Sequence, residues 1–132
     1  MNALEEYIDL IVEPTFEDFR KNPGSTRHGF LACVVAFHSV DRAAELMSKR
    51  SKAVRQKWRS KSFEFTAIDM IAHHFKHTHS SLDKPNPHHD DGIPLSFGLG
   101  LGEKPDKLET RNLVFLVRDV LKFLRQQAAA VG

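Results

Sequence analysis

Apolar residues recur every three or four positions along most of the chain, which is the spacing of an amphipathic helix. The first such series is Leu4, Ile8, Ile11 and Val12, followed by Phe16 and Phe19. It predicts a helix over residues 3–21. Pro14 lies inside this segment and indicates either a kink or the start of a second helix at that point.

The second predicted helix begins after the break Asn22-Pro23-Gly24-Ser25, where Ser25 or Thr26 can cap it, and runs to about Ser48. One apolar stripe consists of Phe30, Cys33, Val34, Phe37, Val40 and Ala44. A second side carries Leu31, Val35 and Leu46. Because apolar residues occupy more than one side, we expect this helix to be the most buried, with neighbours on both flanks.

Three more helices follow, over residues 51–59, 63–80 and 109–129, and Ser62 caps the second of them. On the helix over 63–80 one face contains Ile68, Ile71, Ala72, Phe75 and Leu82. In this register His79 falls inside the apolar stripe and His74 beside it. His73 and His77, one turn apart, are predicted on the opposite side.

The connection over residues 80–109 is long for so small a domain and is rich in proline and glycine. Within it Ile93, Leu95, Phe97, Leu99 and Leu101 alternate with small or turn-forming residues, which is typical of an extended arm or a short β-strand. The predicted fold is therefore all-α, an up-and-down bundle of four to five helices with a long loop or extended arm before the last helix.

Composition supports one domain over residues 1–132, because 132 residues with 41% hydrophobic content can bury a single sizeable core. The acidic start of the chain is unlike a secretory signal, and no apolar run approaches a bilayer span. We therefore expect a cytoplasmic protein without a membrane partner. The single Cys33 lies among apolar neighbours, which favours a buried hydrophobe over a nucleophile.

Four of the eight histidines fall between positions 73 and 79. His73 and His77, at i and i+4, can present two imidazoles to one divalent transition metal such as zinc, although no cofactor is certain. Further ligands are offered by His38, Asp41 and Glu45, or by the loop over 88–91. The alternative is that the histidines lie on a solvated helix face and hold no metal.

His38, Asp41, Arg42 and Glu45 form a polar stripe on the otherwise apolar second helix. Charged residues on a largely buried helix must be paired or must face a cleft, since an unpaired buried charge costs several kcal/mol. One expectation is a salt-bridge network with the first or last helix. The other is a cleft between the second and fourth helices in which this stripe faces His73 or His77.

A basic run over residues 49–61 contains seven Lys or Arg and no acidic residue, so the rest of the chain is net acidic. Such a run can bind phosphate backbones, and a tryptophan beside arginines offers a stacking surface. The predicted nucleic-acid-binding residues are Arg50, Lys52, Arg55, Lys57, Trp58 and Arg59. The alternative is an exposed basic helix that Trp58 anchors in the core.

The segments Ala36-Phe37-His38-Ser39-Val40-Asp41-Arg42-Ala43-Ala44 and Ile71-Ala72-His73-His74-Phe75-Lys76-His77 resemble HEPN-like proteins, a superfamily of helical bundles. The resemblance covers residues 25–80 and more loosely the last helix. Many members are RNases, toxins or phage-defence components, and most are dimers, so the resemblance implies a homodimer. Their nuclease motif needs an arginine four to six residues before a histidine, but Ala72 occupies that position here.

The sequence thus predicts a HEPN-like bundle that is a non-catalytic or diverged binding or regulatory protein, with RNA or DNA as the candidate partner. Whether it is an enzyme stays open, and the candidate catalytic residues are His77, His73 and Lys76. One alternative is a metal-binding protein or metal-dependent hydrolase. Another is a structural interaction protein whose arm over 93–101 docks on a partner.

Overall fold

The computed structural model describes residues 1–76, 93–94, 107–108 and 110–131. Five helices confirm the all-α bundle. Helix α1 (residues 3–21) joins Ala3–Tyr7, Ile8–Val12 and Glu13–Lys21, and α2 (residues 26–47) joins Thr26–Phe37 and Ser39–Met47. They are followed by α3 (Ser51–Lys61), α4 (Phe63–Lys76) and α5 (Thr110–Val131). Ile93–Pro94 (β1), at the start of the predicted arm, pairs antiparallel with Lys107–Leu108 (β2), which lies beyond it.

Helix α1 begins with a capping box in which Asn2 and Glu5 each accept a backbone hydrogen bond from the other. The Asn2 side-chain amide also donates to the Ala128 carbonyl, which ties the start of α1 to the end of α5. Pro14 does not end the helix. A π-helical turn over Ile8–Val12 precedes Pro14. Proline has no backbone N–H to donate, and here it lies in the first turn of Glu13–Lys21, where it is tolerated.

The buried face of the first α2 segment consists of small residues, namely Gly29, Ala32, Cys33 and Ala36. At Gly29 a built Cβ would lie 3.1 Å from Leu113 Cδ2 and 3.1 Å from Phe19 Cζ, so α1 and α5 approach the α2 backbone closely. The predicted apolar stripe was therefore wrong in part. Phe30, Val34 and Phe37 are only half-buried, because the tight packing against α1 and α5 leaves room for small side chains alone.

Helix α2 is interrupted at His38, where the prediction had one continuous helix. The backbone N–H of Asp41 donates to the His38 carbonyl three residues earlier, at 3.1 Å, so the helix tightens locally at this point. The first segment packs against α1, α4 and α5, and the second packs against α1, α3 and α5. His38 therefore lies at the junction of these two packing surfaces.

Helix α3 is held in the core by Val54 and Trp58, and the indole of Trp58 makes edge contacts with Phe65 of α4 and Phe123 of α5. Helix α5 contributes one apolar residue per turn to the same core: Leu113, Val117, Val120, Leu124 and Ala128. On the outer side of α5, Arg125 pairs with Asp9 and Glu13 of α1. None of the helices in the described ranges is long and apolar enough to span a membrane.

Candidate functional site

Asp69 is the centre of a charged cluster between α3 and α4. Its side chain is completely buried, and its carboxylate Oδ2 accepts a hydrogen bond of 2.7 Å from Arg55 Nε. Nη1 of Arg59 lies 3.5 Å from the same oxygen. The two arginines are one turn apart on α3, at i and i+4, so a single carboxylate reaches both guanidinium groups.

His73 completes this cluster one turn after Asp69 on α4. Its Nδ1 lies 2.8 Å from Asp69 Oδ1 and 2.8 Å from the Asp69 backbone carbonyl. Only the contact with the carbonyl has hydrogen-bond geometry, so Oδ1 is buried without a donor among the described residues. Because a carbonyl oxygen only accepts, the Nδ1–H of His73 donates to the Asp69 carbonyl.

The placement of His73 differs from the prediction that it lies on the far side of α4. Its side chain is 28% exposed and packs edge-on against Phe37 of α2, with ring centroids 5.0 Å apart. The reason is that α4 is buried on two flanks, since Asp69 and Phe65 face α3 while Ile68 and Ile71 lie in the core. His73 therefore lies on the flank of α4 that faces α2 and α3, beside the buried Asp69.

The predicted nucleic-acid-binding residues divide into three groups. Arg50, Lys52 and Lys57 are exposed, whereas Arg55 and Arg59 are about one-third exposed and bound to Asp69. Trp58 is 2% exposed and belongs to the core, so its indole is not available to stack on a base. Trp58 instead anchors α3 in the core, which is the alternative interpretation of the basic run.

A pocket of about 270 Å³ lies between α2 and α4, next to the charged cluster. Its lining residues are Phe30, Val34, Phe37, His38, Ala72 and His73. The guanidinium carbon of Arg55 lies 5.6 Å from the centre of the Phe37 ring, which joins the pocket to the basic face of α3. Of the residues predicted to face each other across a cleft between the second and fourth helices, His38 and His73 contribute to the wall of this pocket.

The other members of the α2 polar stripe do not enter this pocket. Asp41 accepts a hydrogen bond of 2.7 Å from Ser51 Oγ and lies 3.5 Å from His38 Nδ1. Arg42 lies over the ring of Tyr7 on α1, with 5.4 Å between the guanidinium carbon and the ring centre. Glu45 is exposed. Among the described residues, the predicted salt bridges from this stripe to the first or last helix are not present.

The described structure brings together only some of the predicted metal ligands. His38 and His73 share the pocket, whereas Asp41 is engaged with Ser51 and Glu45 is exposed. Within the described ranges, no group of three histidine, cysteine or acidic residues is placed to hold a metal ion. His77 and the loop over 88–91 lie outside the described residues, so a site that uses them stays a prediction.

The three candidate catalytic residues have different positions. His73 lies in the charged cluster and the pocket, Lys76 is the last residue of α4, and His77 lies outside the described residues. Cys33 is buried, and burial raises the pKa of its thiol far above the ordinary value, so it is unsuited to act as a nucleophile.

Sequence reasoning missed Asp69, the residue on which the cluster depends. The available signal was a single acidic residue within the apolar run Ala67-Ile68-Asp69-Met70-Ile71, one turn before His73 and shortly after two arginines at i and i+4. A carboxylate in such a run must be paired if it is buried.

No protein-family model, curated protein or solved structure matches this chain. The HEPN-like relationship therefore stays a prediction.

Proposed function

We propose that this protein binds nucleic acid through the basic face of α3, as a binding or regulatory protein. The observation that carries the proposal is the pairing of Arg55 and Arg59 with the buried Asp69. One carboxylate orients two guanidinium groups, so the three side chains together keep a net positive charge. The shared contact also restricts the positions of both arginine side chains. Preorganised arginines with remaining N–H donors are well suited to phosphate oxygens.

Lys52 extends the arginine pair along the same helix face. Lys52, Arg55 and Arg59 stand at i, i+3 and i+7, so their side chains form one stripe. Helix α3 contains no acidic residue that would neutralise it. Asp69, which holds the two arginines, is fully buried, so its carboxylate does not repel an approaching phosphate backbone. These features support contact with several successive phosphates.

Salt dependence tests the proposal most simply. Each phosphate neutralised by a cation contributes roughly 0.7 to 0.9 to the slope of log affinity against log salt concentration. We expect the affinity of the protein for RNA or DNA to fall steeply with salt. Substituting Arg50→Gln, Lys52→Gln and Lys57→Gln together should flatten that slope, by roughly 0.7 to 0.9 for each of the three that contacts a phosphate, and should weaken binding at low salt.

A matched control separates local contacts from overall charge. Lys21→Gln, Arg27→Gln and Lys122→Gln remove the same number of lysines and arginines from exposed positions on other helices. This control should retain nearly the wild-type slope. Equal losses in both triple variants would show that only net charge matters, and the absence of salt-sensitive binding to any RNA or DNA would refute the proposal.

A finer comparison tests which edge of α3 carries the contacts. Lys52 shares the arginine stripe, whereas Lys57 is exposed on the opposite side of the helix axis. The reversal Lys52→Glu should therefore weaken binding more than Lys57→Glu, although both remove the same charge from the same helix. Equal losses of affinity in the two variants would mean that the nucleic acid backbone contacts both sides of α3 and not the stripe alone.

A further inference from the structure

We infer that the pocket between α2 and α4 receives one unpaired base of a single-stranded nucleic acid whose phosphates lie on the α3 stripe. This inference rests on the proposed function and specifies the ligand of the same site. It follows from the chemistry of the pocket wall, from the size of the pocket and from its position beside Arg55.

The pocket wall is almost entirely apolar. Phe30, Val34 and Phe37 are half-buried and line it together with the rings of His38 and His73. Single-stranded nucleic acids are recognised by bases that turn out of the strand and pack on aromatic and apolar side chains.

The pocket is suited to one ring system. Pockets for drug-sized ligands occupy roughly 300 to 1,000 Å³, and the volume of about 270 Å³ lies just below that range. A base fits such a space, whereas a folded peptide segment or an oligosaccharide does not. In a duplex each base is stacked and paired inside the helix and cannot enter a side pocket without being flipped out.

Charge complementarity selects a base that is attached to a phosphate backbone. The Arg55 guanidinium lies 5.6 Å from the ring of Phe37, a pocket residue, and 2.7 Å from Asp69 through its Nε. A phosphate bound by Arg55 therefore lies within one nucleotide of a residue that lines the pocket. A neutral apolar ligand would make no use of Lys52, Arg55 and Arg59.

An abasic strand tests the inference with the unaltered protein. Fluorescence anisotropy would compare a labelled pyrimidine strand, the same strand with abasic spacers and the corresponding duplex, as RNA and as DNA. Base stacking on proteins is worth about 1 to 3 kcal/mol per base, so we expect the abasic strand to bind about tenfold more weakly or worse. The duplex should also bind more weakly than the single strand.

A pocket-filling variant provides the second measurement. Val34→Trp places a large side chain in the pocket, and Leu31→Trp makes a comparable change at an exposed position of the same helix outside it. Val34→Trp should abolish the difference between normal and abasic strands, while Leu31→Trp should leave it intact.

The possible results separate the two proposals. Salt-sensitive binding that is equal for normal strand, abasic strand and duplex would overturn the base pocket and leave backbone binding standing. No salt-sensitive binding to any of them would overturn both. If Val34→Trp does not fold, the abasic comparison on the wild-type protein still decides.

Discussion

Arg55 donates to Oδ2 of Asp69 across the interface of α3 and α4, at 2.7 Å, from a position one-third exposed to a carboxylate that is fully buried. This contact joins the strongly basic helix α3 to the core. It gives Arg55 and, one turn later, Arg59 a common anchor. The orientation of the stripe on α3 depends on this single acidic residue.

Replacing Asp69 should therefore cost stability. Asp69→Asn keeps the shape of the side chain but removes the charge that pairs with Arg55 and Arg59. Hydrogen bonds to charged groups contribute about 1.5 to 3 kcal/mol, and we expect a loss of that size in the free energy of unfolding measured with urea. Asp119→Asn is the control, because Asp119 pairs with its neighbour Arg118 at the surface and should matter little. Similar losses in both variants would contradict the anchoring role.

The two described glycines of the helical region should respond differently to added side chains. Gly29→Val forces methyl groups into Phe19 and Leu113, and overpacking of this kind costs about 1 to 3 kcal/mol. Nothing lies within 4 Å of a Cβ built at Gly24, so Gly24→Ala should be nearly neutral. Thermal unfolding of the two variants measures the contrast. A tolerated valine at position 29 would mean that α1 and α5 do not approach α2 this closely.

Stability should fall at alkaline pH. Burial raises the pKa of Cys33 in the folded chain, so its stabilising contribution is complete below the unfolded thiol pKa of about 8.5 and is lost as pH rises above it. Burial also raises the pKa of Tyr7, which donates to the Val35 carbonyl, and this adds a decline above about pH 10. Urea unfolding between neutral pH and pH 10 measures the decline. Cys33→Ala should flatten its first part, and an unchanged slope would rule out the thiol as the cause.

Trp58 reports separately on the core and on binding. It is the single tryptophan of the chain and is buried against Phe65 and Phe123. Its fluorescence in the native protein should therefore resist quenching by iodide and should not change when a nucleic acid strand is added. A strong quench on adding the strand would mean that the indole stacks on a base.

Hydrophobic spacing predicted the fold well because helix periodicity is a local property. The predicted segments 3–21 and 51–59 match α1 and α3 closely, and the irregular π-helical stretch of α1 ends just before Pro14. The buried face of α2 was harder. Small residues form this face because Phe19 and Leu113 approach the α2 backbone closely. That close approach depends on how three helices pack together, which the sequence pattern of one helix does not reveal.

The site was predicted in outline only. The basic run followed from the distribution of charge. The shared pocket of His38 and His73 did not follow from the predicted register, which placed His73 on the far side of the fourth helix, and Asp69 was missed because its importance depends on the angle at which α3 lies on α4. Trp58 illustrates the same limit. A tryptophan among arginines looks like a stacking residue until the buried face of its helix is known.

Chemical-shift mapping tests the central claim most directly. A labelled sample of the protein would be titrated with an unstructured single strand at low salt, and the backbone amide signals followed by NMR. We predict that the largest shifts fall on α3 between Arg50 and Arg59 and around the pocket at Phe37, His38 and His73. Shifts confined to the outer surfaces of α1 and α5, or no shifts at any strand concentration, would contradict the account.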